Sequence, residues 1–366
     1  MKRKFDILLA GNKIKAEAFL SEIEGKNPLF VCTIGTTETA KINGISAAGS
    51  NPQITDYTPP ADAELLLLGK CKCINGVPIT PSGIPTPALI TMSALKLANI
   101  PVFIASAGLK IKPQIPFLDL GGTAGKDMRT GHSVENTEEV FQRALIAGKQ
   151  LANTTDYLVI GESIPGGTTT ALGVLSAIGV KAEGKVSSSL PDNPHFLKTN
   201  TVNLGLKAAG IQFGSLKDDP LKAISCLGDP MMPAFAGLVV GAASQVPVLM
   251  AGGTQMTAVL AVISTLNPEV LCNVAIGTTR WIIQDESSDI RGIVAQISDI
   301  PVIAADLDFN SSKLTGLKAY ETGIVKEGVG AGGASISAMA KLSGAITADM
   351  LLREIEKNYE ILMTNR

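Results

Sequence analysis

Short apolar runs recur along the chain at residues 5–9, 29–33, 64–68, 101–105, 157–160, 246–250, 272–276 and 301–305. Each has the length of a buried strand, and most precede a stretch whose apolar residues return at helical spacing. Alternation of this kind predicts an α/β fold with a mainly parallel, Rossmann-like sheet, helices on both faces in three layers, and a smaller lobe from the terminal segments. Three runs open on Ile100-Pro101, Val246-Pro247 and Ile300-Pro301, and proline is tolerated at the first residue of a strand. Helical spacing predicts helices over 168–178, 231–243 and 254–266. Residues 347–363 read as a charged amphipathic helix that packs as an outer lobe or a dimer contact. Segments 45–60 and 76–87 are rich in Pro, Gly, Ser and Thr with little periodicity, which predicts long ordered loops.

Composition narrows the picture. Only 17% of the 366 residues are charged, below the roughly 25% of an average domain, so part of the surface is expected to be covered in a homodimer. The net charge of −2 and the single Trp give no basic, aromatic-studded groove for nucleic acid. Residues 230–268 contain no charged side chain and are long enough to span a membrane. Pro233, Pro247 and many small residues interrupt that stretch, however, and it parses as helix, strand and helix, a buried unit rather than a span. The N-terminal MKRKFDILLAGN has too short an apolar run for a signal segment and reads as a first strand. Five scattered cysteines and two isolated histidines, His132 and His195, lack metal-ligand spacing. The expectation is a cytoplasmic protein with reduced thiols, no metal, no cofactor, and no membrane or nucleic-acid partner.

The segment Gly161-Glu-Ser-Ile-Pro-Gly-Gly-Thr-Thr-Thr170 carries the clearest chemistry. It sits where a strand turns into a helix. Glycines there let backbone N–H groups approach an anion, threonines add hydroxyl donors, and the helix N-terminus adds partial positive charge. The spacing and lysine of a Walker loop are absent. A tight corner with no ligand would use the same glycines. Two further loops at strand ends, Ala251-Gly-Gly-Thr254 and Gly277-Thr-Thr-Arg280, are also rich in glycine and hydroxyls, and ligands of parallel sheets bind at such ends. Residues 1–345 are therefore read as a nucleotide-binding core and 346–366 as the appended helix.

A formal GxGxxG at Gly328, Gly330 and Gly333 has no later strand to complete a dinucleotide unit and is rejected as one. Its notable feature is Glu327, either a general base held at the mouth of a glycine run or a glutamate at a helix start.

Taken in order, Gly161 to Thr170, Gly228-Asp-Pro-Met-Met-Pro-Ala-Phe-Ala-Gly237 with Val246-Pro-Val-Leu-Met250, and Glu327-Gly-Val-Gly-Ala331 resemble three blocks of the nicotinate-nucleotide:dimethylbenzimidazole phosphoribosyltransferase family. With Ile45-Ser-Ala-Ala-Gly49 and Gly83-Ile-Pro-Thr-Pro87, the whole chain is similar to the divergent archaeal and cyanobacterial branch. The resemblance implies a pentosyltransferase that moves phosphoribose from nicotinate mononucleotide to dimethylbenzimidazole or another aromatic base, for the lower ligand of cobalamin. It implies that Gly166, Gly167, Thr168, Thr169 and Lys198 bind the phosphate and that Glu327 is the base. Glu162, Ser187, Ser188, Gly228, Asp229, Gly252, Thr278, Thr279 and Gly328 are candidates for ribose or base contacts. Lys198 reads equally as a helix-surface lysine, Lys126 and Arg129 as phosphate contacts or a loop pair, and Asp119 and Glu162 as ribose ligands or turn caps. The chain departs from the family at Gly167, where Asn is usual, at Ser187-Ser-Ser189, where Arg-Gly-Thr-Gly is usual, and at Gly277 to Arg280. Other aromatic acceptors, and a noncatalytic nucleotide-binding protein of the same fold, stay open.

Overall fold

The computed structural model describes residues 4–49, 51, 53–80 and 82–364. Ser50 and Pro52 of the first expected loop, Pro81 of the second, and the chain ends at 1–3 and 365–366 lie outside the described residues. Eight strands, β1 (Ile7–Gly11), β2 (Pro28–Ile34), β3 (Val102–Ser106), β4 (Leu118–Asp119), β5 (Tyr157–Ser163), β6 (Val248–Ala251), β7 (Val274–Thr279) and β8 (Pro301–Ala305), form one sheet in the order β1-β8-β7-β6-β5-β2-β3-β4. Only β1 runs antiparallel, against β8. The order turns back between β2 and β5, whose ends pair at Ile34 and Ser163. This reversal opens the crevice in which parallel sheets bind ligands.

The α-helices, in chain order, are α1 (Lys13–Ile23), α2 (Thr58–Leu68), α3 (Ala88–Leu97), α4 (Thr137–Ala152), α5 (Gly167–Ile178), α6 (His195–Ala209), α7 (Pro220–Leu227), α8 (Met231–Ala243), α9 (Gln255–Leu266), α10 (Arg280–Ile283), α11 (Ile290–Ile297), α12 (Thr315–Lys318), α13 (Ala331–Lys341) and α14 (Ala348–Thr364). Alternation along β5 sorts them. Leu158 and Ile160 join a core with α4, α5, α8 and α9, while Tyr157 and Val159 join one with α1, α2, α3, α13 and α14. The expected three-layer α/β architecture is what forms, because side chains of a strand buried on both faces must find helices on both. Helix α14 lies on α3, with Asn358 donating to Ser93 Oγ at 3.0 Å. The uncharged stretch forms α8, β6 and α9, and among the described residues no helix is long and apolar enough to cross a membrane.

The pattern misled in two places. Residues 64–68, read as a strand, are the second half of α2. Pro59 and Pro60 start that helix, a position where proline's missing N–H costs nothing, and a buried helix shows the same short apolar run as a buried strand. The first expected loop therefore ends at Tyr57 and includes a 3-10 turn, Ile54–Tyr57. Strand β4 has two exposed residues, too few to leave a pattern.

Helices α4 and α8 touch backbone to backbone. A Cβ at Gly241 would stand 2.1 Å from the Leu145 carbonyl oxygen, and one at Gly148 2.3 Å from that of Leu238. Gly241→Ala is expected to destabilise the protein by about 1–3 kcal/mol through forced separation of the two helices, read as a lowered midpoint in chemical denaturation.

Candidate active site

Beyond the carboxyl ends of β5 and β6 lies a cavity that opens on solvent. Gly166, Gly167 and Thr168 line it at the N-terminus of α5. Gly166 has φ +82° and lies against the Ala40 backbone, where a Cβ would approach Cα of Ala40 to 3.0 Å. Glycine is required there for both reasons. Thr169, which was expected beside them, is buried behind the turn, and its hydroxyl has no partner among the described residues. Thr170 hydrogen bonds Asp229 at 2.5 Å.

Glu327 opens on the same cavity from the segment before α13. Its Oε1 accepts from Gly328 N at 3.1 Å, and both oxygens accept from Gly332 N at 3.2–3.3 Å. Burial pushes its carboxyl up to about 8, against the opposing pull of these N–H groups. The segment holds an unusual backbone: Val325, Lys326 and Val329 have φ of +71°, +55° and +53°. Left-handed conformations of non-glycine residues persist only where the surroundings enforce them, at roughly 1–3 kcal/mol each. Here the clamps are Lys326 Nζ on Asp285 at 2.9 Å, Thr279 Oγ1 on Lys326 O at 2.6 Å, Thr91 Oγ1 on Val329 O at 2.9 Å and Val325 N on Ser189 O at 3.1 Å.

Glu162 and its neighbour Ser163, at the end of β5, also line the cavity. Gln255 Nε2 donates to one oxygen of Glu162 and Ile164 N to the other at 3.0 Å. Burial first, and then the charges of Asp229 and Glu327, raise this carboxyl well above the ordinary range. Ser187 and Ser188 line the facing wall. Ser187 N donates to Thr254 Oγ1 at 2.9 Å and its hydroxyl to Asp285 at 3.1 Å. Burial alone would raise Asp285, but the Ser287 hydroxyl and the Lys326 ammonium hold its carboxyl down to about 2.

Other expected contacts stand behind the wall. Lys198 is fully buried and does not itself line the cavity; its Nζ donates to Ser187 O and, at 3.1 Å, to Asn193 Oδ1. Burial, with Lys326 adding to it, pulls its ammonium down to about 7. Asp229, just ahead of α8, accepts from Met231 N at 3.1 Å and Met232 N at 3.3 Å in its first turn. Gly228 closes α7, Gly252 N donates to Gly277 O at 3.0 Å, and Thr278 is buried in β7. Thr279 supports the Glu327 segment, and Gly328 lines the cavity beside it. Lys126 pairs with Glu135 at 2.6 Å and Arg129 with Asp127 at 2.5 Å. Asp119 caps its own turn through Gly121 N at 2.9 Å. Arg280 is turned to Glu321 and Asp308.

The amino-acid sequence places this site among known proteins. Residues 105–280 match the family model described as phosphoribosyltransferase. A UPF0284 protein of Sulfolobus acidocaldarius is 47% identical over 351 residues, covering 94% of this chain and 99% of its own. Another, from Methanothermobacter thermautotrophicus, is 44% identical and covers 93% and 94%. The chain belongs to the UPF0284 family. The same fold occurs in CobT from Thermus thermophilus, with TM-score 0.57 and 17% identity over 89% of this chain and 91% of that one. It also occurs in the nicotinate-nucleotide-dimethylbenzimidazole phosphoribosyltransferase of that organism, with TM-score 0.56 and 16% identity over 91% and 92%.

Sequence reasoning missed Asp62, Thr86, Ser163 and Gln255, which the UPF0284 fold brings to the cavity from α2, the 76–87 loop, β5 and α9. Asp62 left one signal, a charge two residues after a proline pair in a stretch that is otherwise mostly apolar.

Burial raises four carboxyls in the folded protein, Asp229 to about 6, Asp62 to about 7, Glu327 to about 8 and Glu162 well above the ordinary range. Each binds a proton that the unfolded chain has released above about pH 4. Their stabilisation is thus full below the unfolded values and is lost as pH rises through the folded ones. The urea midpoint is expected to fall from about pH 5 to about pH 7, with a shallower fall in Glu327→Gln, measured by fluorescence-detected denaturation across that range.

Proposed function

We propose that the protein transfers the phosphoribosyl group of nicotinate mononucleotide to a benzimidazole-type base, giving the α-riboside 5′-phosphate of a cobamide lower ligand. The observation that carries this reading is that Glu327 and the Gly166-Gly167-Thr168 turn open on one cavity. Gly166, Gly167 and Thr168 cradle the phosphate at the start of α5, an anion site by its N–H groups and dipole. Thr169 stiffens that turn, and Lys198 supports it from behind Ser187 by its charge. Glu162 orients ribose hydroxyls, while Ser187, Ser188 and Gly328 border the ribose and base.

The bond between C1′ and the pyridine nitrogen breaks with its electron pair passing to nitrogen, so nicotinate leaves with a neutral ring and no general acid is required. A nitrogen of the incoming base attacks C1′ from the opposite face, and Glu327 takes the proton from the base's other nitrogen. General-base assistance contributes about a hundredfold to ten-thousandfold, and positioning by the cradle contributes more. Five cysteines without a disulfide support a reducing, cytoplasmic setting. The low charge content supports a homodimer.

Incubation with nicotinate mononucleotide and dimethylbenzimidazole is expected to release nicotinate, and Glu327→Gln to lose about a hundredfold or more of that rate. Since the base works only when deprotonated and burial holds Glu327 at about 8, the wild-type rate should climb with pH through neutrality and level off near that value. A flat profile, or a Gln variant as fast as wild type, would refute the assigned base. Nucleotide binding without release would favour a different acceptor or a noncatalytic role.

A further inference from the structure

Asp62 is a buried carboxylate that lines the cavity from α2. Thr86 Oγ1 donates to its Oδ1 at 2.7 Å, and Ser163 Oγ donates to its Oδ2 at 2.7 Å. A hydroxyl has a single proton to give. Once that proton is committed to Asp62, Ser163 and Thr86 have only lone pairs left, and one of those on Thr86 already accepts from Ala88 N at 3.2 Å. Both residues line the cavity beside Asp62. A serine or threonine alone turns its proton to suit either kind of partner, whereas the ionised carboxylate of Asp62 fixes these two as acceptors.

The surroundings indicate what donates to them. Ile84, Pro85 and Pro87 adjoin Thr86 in the cavity lining, which also includes Ile45, Ala47 and Ile79, and Tyr320 fixes the loop by donating to Pro85 O at 2.9 Å. An apolar wall of this kind suits a flat aromatic ring. A ribose would also meet this pair with hydroxyl donors, and the binding measurements below separate it from an aromatic ring. Because the proposed reaction engages both ring nitrogens, one with C1′ and the other with Glu327, the polar pair calls for an N–H or O–H on a substituent of the ring.

We propose that Asp62, Ser163 and Thr86 select an aromatic acceptor that carries a hydrogen-bond donor on its ring, a hydroxyl or amino substituent, over one carrying an alkyl group. The assignment rests on the phosphoribosyl-transfer reading for the identity of the ligand as an acceptor base. Asp62 acts as a positioning residue, through the two hydroxyls. An alkyl group leaves the buried acceptors unpaired, and sites built to receive a donor discriminate on that ground.

The test is calorimetric binding of 5-hydroxybenzimidazole and 5-methylbenzimidazole, two rings of nearly equal size, to the wild type, Ser163→Ala and Asp62→Asn. The wild type is expected to bind the hydroxy compound about tenfold more tightly or better. Ser163→Ala removes an acceptor. Asp62→Asn must donate through its amide and so turns one hydroxyl proton toward the cavity. Either change should weaken the hydroxy ligand and leave the methyl ligand within about twofold, and Ser163→Ala keeps the test open should Asp62→Asn fail to fold. Equal wild-type affinities, equal loss of both ligands, binding of neither, or a loss confined to nicotinate mononucleotide, which would hand these groups to the ribose, would each overturn the proposal. Nicotinate release is followed separately with each ring. A binding preference without release would keep the ligand class and overturn only the reaction.

Discussion

Helix α13 rests on β5, β6 and β7 through its glycines, and this close approach positions the cavity. A Cβ at Gly332 would lie 2.0 Å from the carbonyl carbon of Thr278, one at Gly333 2.3 Å from Cβ of Ala251, and one at Gly330 3.0 Å from Cα of Gly161. Because the helix sits so low, its first N–H groups reach the level of the strand ends, and Gly332 N meets the Glu327 carboxylate there. The chain must then climb from Ile324 to Ala331 in few residues. Left-handed turns at Val325, Lys326 and Val329 are the geometric result. The buried Lys326–Asp285 pair keeps those turns from relaxing, since breaking it would strand a charge away from water.

Charge is arranged in depth. Carboxyls of Asp62, Glu162 and Glu327 face the cavity, and the buried cations Lys198 and Lys326 stand behind the serine wall. Burial opposes ionisation on both sides, so Asp62, Glu327 and Lys198 all change protonation between about 7 and about 8. Groups held so close to neutrality accept or release a proton at little cost, as acid–base chemistry requires. Asp285 is the exception, ionised throughout this range, and it joins both walls: it pairs with Lys326, next to Glu327 in the chain, and receives the hydroxyl of Ser187.

Local pattern by itself determined the layered α/β fold, most strands and the three motif-bearing turns, because hydrophobic spacing and glycine placement act over a few residues. It also marked Glu327 and the Gly166-Gly167-Thr168 turn, whose chemistry is carried by neighbours in the chain. Only the tertiary structure decided that 64–68 is helix, since a fully buried run has no periodicity to separate the two states. It alone sent Lys198 and Thr169 behind the wall, brought Asp62 to Ser163 across about a hundred residues, and set the ionisation of each carboxyl. Those outcomes depend on desolvation and on partners distant in sequence, and neither is encoded in any short stretch of residues.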